Sequence, residues 1–145
     1  MADVSHVTDE ELLLRHVPEG VPWQTSESPF ISSANFELRH DRGETGVSVT
    51  RWIFTTPRQL LRRLAMGPGA LVTPGSKIFA AKAGEVRALG FVVVEKSIVS
   101  GPVPDPGHAE IRSATASLDR RPQRQRLRNL FRLVDTSQYD TLQPH

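Results

Sequence analysis

Cysteine is absent from the 145-residue chain. Disulfides, thiolate metal ligands and a cysteine nucleophile are therefore excluded. The fold must rest on its apolar core, and a chain of this length buries roughly two-thirds of its unfolded surface, enough to do so. Long apolar runs are missing too. Stretches such as Phe91-Val92-Val93-Val94 fall far short of the roughly 20 residues of a membrane span. The opening MADVSHVTDEELLL is acidic and lacks the apolar segment of a secretory signal. A cytoplasmic protein without membrane contact is the expectation. Zinc-finger, RNA-recognition and Gly-rich phosphate-loop motifs are absent, as are GxSxG and the HxH and HExxH spacings. No metal or cofactor is expected, and no reaction is identified.

Charge is present and unevenly placed. The net charge is only +2, yet seven arginines and a single acid, Asp119, lie between Arg112 and Arg132. That segment carries +6 and the rest of the chain −4. Such asymmetry points to a basic flank rather than a basic protein.

The length corresponds to one domain, residues 1–145. Thr8-Asp9-Glu10-Glu11 has the spacing of a capping box and predicts a short N-terminal helix closed by Val17-Pro18-Glu19-Gly20. His16 would end that helix, where the dipole favours a cation. Residues 18–34 predict an irregular segment pinned by Trp23 and Phe30. Alternation in NFELRH and VSVTRW, around the turn-rich Asp41–Gly46, predicts a central antiparallel hairpin, with Trp52-Ile53-Phe54 extending its second strand. Thr56-Pro57 opens a second helix with Leu60, Leu61 and Leu64 inward and Arg58, Arg62 and Arg63 on or near the wet side. A short strand is expected at residues 70–73. Lys77 to Lys96 reads as strand, short helix, strand, and the continuous apolar Phe91–Val94 as the central strand. A stiff proline loop then leads to a strand at His108–Ile111. A helix over residues 119–134 and a frayed tail at 136–145 end the chain. The expected class is α+β: a small mixed or antiparallel sheet with a central hairpin, flanked by N-terminal, middle and C-terminal helices.

On an ideal helix, Leu127, Leu130, Phe131 and Val134 share one face, and Arg121, Arg124, Arg128 and Arg132 run along one flank. Successive turns space these arginines roughly 5–6 Å apart, close to the spacing of phosphates along a strand. Such contacts give salt-dependent affinity without base specificity. A docked helix whose wet side is basic needs no partner at all and is the simplest reading; nucleic acid comes next, and an acidic protein partner after it.

Histidines and inward arginines are the remaining chemical candidates. His40 sits at a strand end beside Asp41. His108 follows the proline loop and shares a strand side with Glu110. Either could act as an acid–base group near neutral pH. Ser33 has no context marking it as activated. Arg51 follows the alternating run and can point inward, where it would demand a carboxylate.

The pieces SSANF, GVSVTRW, GEVRALGFVVVEK and PGHAEI resemble a group of small, uncharacterised bacterial proteins. The matching positions are Ser32, Ser33, Phe36, Ser48, Val49, Arg87, Gly90, His108, Ala109 and Ile111, across roughly residues 30–112. The resemblance implies that Ser33 and His108 share a surface, and it carries no activity.

Two functions follow as expectations. The first is a small non-enzymatic protein that binds a macromolecular partner, protein or nucleic acid, through Arg121, Arg124, Arg128 and Arg132. The alternative is an enzyme on a nucleotide or nucleic acid with His40 or His108 as acid–base, and Ser33 and Arg51 nearby. Oligomeric state is not legible.

Overall fold

The computed structural model describes residues 6–17, 46–66, 77–96, 106–113 and 120–134. Among these the elements are β1 (Leu12–Val17), β2 (Val47–Arg51), α1 (Pro57–Met66), β3 (Lys77–Lys82), α2 (Ala83–Ala88), β4 (Val92–Glu95), β5 (His108–Arg112), α3 (Arg121–Arg128) and β6 (Arg132–Val134). The strands form one sheet in the order β4-β5-β2-β1-β3-β6. Every pairing in it is antiparallel. The α+β class therefore holds. None of the described helices is long and apolar enough to cross a membrane.

The sheet is covered on both faces. Leu13, Val17, Val47, Val49, Phe79, Ala81, Val93, Ala109 and Ile111 point to one side. There they meet Ala83 and Val86 of α2, Leu127 of α3 and the following Phe131. The opposite face is apolar only toward β1 and β3. Leu14, Ile78 and Ala80 pack there with Trp52 and with Leu60 of α1. Toward β5 that second face turns polar, since His108, Glu110 and Arg112 alternate with the buried Ala109 and Ile111.

Several expectations hold. Helix α1 starts where Thr56-Pro57 placed it. Gln59 N donates to Thr56 Oγ1 at 3.1 Å and Thr56 N to Gln59 Oε1 at 3.0 Å, a reciprocal cap. Leu60 is buried and Arg62 exposed, as their period requires. Lys77–Lys96 does run strand, helix, strand. The strand at His108 is β5.

Four expectations are corrected. Residues 12–17 are a strand, not a helix. Leu13 and Leu14 project to opposite faces and both are buried, so the run is apolar without alternating. Trp52–Phe54 does not extend β2. The chain turns there, with Phe54 N bonded to the Arg51 carbonyl and Thr55 N to the Trp52 carbonyl. Among the described strands β4 stands at an edge rather than the centre, and Val92 on its outer face is 48% exposed. The C-terminal helix stops at Arg128. The chain turns at Asn129-Leu130 and re-enters the sheet as β6 beside β3.

The second arm of the proposed hairpin is β2, bonded to β1 and β5. Its first arm at 35–40, the irregular segment 18–34, the strand at 70–73 and the tail at 136–145 lie outside the described residues.

Candidate functional site

The inward arginine is real. Arg51 is fully buried at the end of β2, and its carboxylate partner is Glu11, 3% exposed. Register places Arg51 opposite Leu13, so the residue two before Leu13 shares its side of the sheet. Arg51 Nε donates to Glu11 Oε1 at 2.8 Å and Nη2 to Oε2 at 2.9 Å. This is the bidentate fork that arginine favours. Nη2 also donates to the His6 carbonyl at 3.2 Å. Nη1 is buried, with no hydrogen-bond partner among the described residues. The guanidinium carbon lies 4.9 Å from the Phe54 ring centroid, so the turn after β2 supplies a cation–π face. Gly107 admits this packing. A Cβ there would sit 3.0 Å from Phe54 Cβ and 3.1 Å from the Arg51 carbonyl oxygen.

The same carboxylate holds the N-terminal turn. Thr8 N donates to Glu11 Oε2 at 2.6 Å and Glu11 N to the Thr8 carbonyl at 3.2 Å. The Thr8–Glu11 pattern thus makes its backward bond, but around one turn leading into a strand. That turn also caps α2: Ala83 N and Gly84 N donate to the carbonyls of Glu11 and Asp9, both at 2.9 Å. Arg87 ties it from outside, bonding Asp9 Oδ1 at 2.6 Å and the Val7 carbonyl.

His16 is not a helix-end cation. It lies on β1, where burial, then the neighbouring Arg15 charge, lowers its pKa from 6.5 to about 4. It is held neutral, and its Nε2 is buried without a hydrogen-bond partner among the described residues.

His108 and Arg51 do not converge. His108 is the register partner of Thr50, so its side chain takes the face opposite to that of Arg51. His108 Nδ1 is 3.0 Å from the Lys96 carbonyl oxygen. Glu110, on the same face, accepts from Lys96 Nζ at 3.1 Å and Arg112 Nε at 2.9 Å. This is a salt-bridged strand surface, on which Ser48 and Thr50 stand opposite Glu110 and His108. Ser33 and His40 lie outside the described residues, and so does any test of a surface shared by Ser33 and His108. Among the described residues no group of three His, Asp or Glu side chains could hold a metal ion.

The arginine flank is divided between two elements. Arg121, Arg124 and Arg128 lie on α3, and Arg132 on β6. Leu127 is the buried residue of α3; Arg120, Arg121, Arg126 and Arg132 are exposed. Arg124 and Arg128 are half-buried. The turn gathers the last two of the flank. Arg128 Nε and Nη2 reach Asn129 Oδ1 at 3.3 and 3.2 Å, and Arg132 Nη1 donates to the Asn129 carbonyl. Arg128 and Arg132 both bond Asn129, around a turn and not along the continuous helix expected from the sequence.

One feature escaped sequence reading. Strand β3 runs two residues beyond its last partner on β6, the pair Ala80–Arg132. The gap is an open groove of about 380 Å³ lined on the β3 side by Ala80, Ala81 and Lys82. Only the register of two strands far apart in sequence reveals it. Comparison with protein-family models, with curated proteins and with solved structures finds no match.

Proposed function

We propose that the chain is a small binding protein that engages an anionic macromolecule, protein or nucleic acid, through Arg121, Arg124, Arg128 and Arg132. The observation that carries this reading is the cluster of exposed arginines, Arg120, Arg121 and Arg126 at α3 and Arg132 on β6. The helix buries Leu127, leaves Arg121 and Arg126 exposed, and holds Arg124 and Arg128 half-buried. Among the described residues no carboxylate pairs with Arg120, Arg121, Arg126 or Arg128. Their field is left to act outward. Arginine forks suit carboxylate and phosphate alike.

The test is binding of labelled oligonucleotides and of an acidic model protein across a salt series. The expected result is affinity that falls with salt and is lost when Arg121, Arg124, Arg128 and Arg132 are replaced by glutamine, with the fold unchanged by circular dichroism. Arg124 has its Nε sealed from solvent. The triple variant that keeps Arg124 is therefore the cleaner control for folding. Binding that survives both variants overturns the proposal.

A further inference from the structure

We infer that the partner is a protein segment: an extended, acidic stretch bearing one bulky apolar side chain, which enters the groove at the β3–β6 edge. This rests on the reading of α3 and β6 as the binding surface and names the chemistry that surface takes.

The groove is made for an apolar group. It runs along the edge of β3 at Ala80 and Ala81, whose side chains turn to opposite faces of the sheet, and Leu12, Trp52, Leu130 and Val134 line it as well. Leu133 lies on the rim, 47% exposed. A volume of about 380 Å³ is at the small end of ligand sites, which run from roughly 300 to 1,000 Å³, and holds a large side chain. Nucleic acid has no fitting group. Its backbone is charged, and its bases need an exposed aromatic face to stack on. The nearby rings are turned inward: Trp52 is 7% exposed and Phe131 fully buried.

Charge selects the flanking residues. Arg132 lines the mouth of the groove, and Arg128 meets it around Asn129. Lys82 also lines it, 3.8 Å from Glu10. Glu85 is the acidic member of the lining and repels carboxylates on its side. The acids of the partner therefore belong on the Arg128–Arg132 side. The backbone offers a third element of recognition. Among the described residues β6 ends the sheet, so its outer edge can take one more strand.

The experiment is selection from a random-peptide display library on the immobilised full chain, with labelled oligonucleotides measured in parallel. The expected peptides carry one large apolar residue flanked by Asp or Glu. Leu133→Ser should weaken them roughly tenfold or more, and Arg132→Gln should flatten their salt dependence. Leu133 is half exposed, so its substitution leaves the fold standing, which thermal unfolding checks. Selected peptides indifferent to Leu133→Ser overturn the inference. Oligonucleotide binding that needs the arginines but ignores Leu133, with no peptide enriched, also overturns it and leaves the basic-surface reading intact. Failure of both probes removes both.

Discussion

Arg51 and the arginines of α3 bring the same guanidinium into opposite surroundings. Arg51 is sealed from water, forked onto Glu11 and laid against Phe54. Arg121 and Arg126 stand in solvent on a helix whose first turn holds no acid. In the interior a charge must be answered on the spot, because its lost hydration is worth several kcal/mol per ion. At the surface it need not be answered, and it remains available to another molecule. The residue type is therefore uninformative by itself; burial separates the arginine that holds the fold from those that can hold a partner.

The largest effect expected from this contrast lies at the buried pair. Glu11→Ala or Arg51→Met alone leaves an uncompensated interior charge and should cost about 3–5 kcal/mol by urea unfolding. The double variant Glu11→Leu/Arg51→Met should cost much less. A double variant as unstable as either single one would mean that the two do not act as a unit. His16 extends the comparison to a base with no counter-charge, which stays neutral inside. Its folded pKa of about 4 lies below the unfolded 6.5, so the unfolded chain binds a proton first as pH falls. Stability from this residue is full above about 6.5, declines as pH drops toward about 4, and is flat below that. His16→Gln should remove that slope, and a slope that persists would assign it to another group. Thr56→Ala, which deletes half of the α1 cap at a buried but uncharged position, should cost about 1 kcal/mol. Arg121→Gln and Arg126→Gln should fall within about 0.5 kcal/mol of the parent. A larger loss at either position would place it with Arg51 rather than with the solvated set.

The sequence showed local signals well where local chemistry decides. Thr56-Pro57 began α1, and Gly90, at φ +95°, lies between α2 and β4 as its backbone freedom suits. It misled where two faces are buried. Leu12-Leu13-Leu14 favours a helix by propensity, yet β2 on one side and β3 on the other draw it into the sheet. Phe131 and Val134 fit the period of a helix that ends at Arg128. Phe131 is buried just after the turn, and Val134 instead pairs with Ile78. Arg51 was legible as an inward charge, but Glu11 was not legible as its partner, because forty positions separate them. The groove was invisible for the same reason: it is an offset between β3 and β6, not a motif.

The placement of β1 between β2 and β3 has a consequence in time. Leu12–Val17 precedes the other described strands in the order of synthesis, yet neither flank can close early. One waits for Thr50 and Arg51, the other for Lys77 to Lys82. Until then an apolar ribbon and the Glu11 carboxylate remain open to water, and β6 cannot add its edge before β3 is seated. Sheets completed by such distant partners assemble slowly. A nascent chain stopped short of Lys77 would therefore leave β1 as a bare strand edge open to whatever lies beside it.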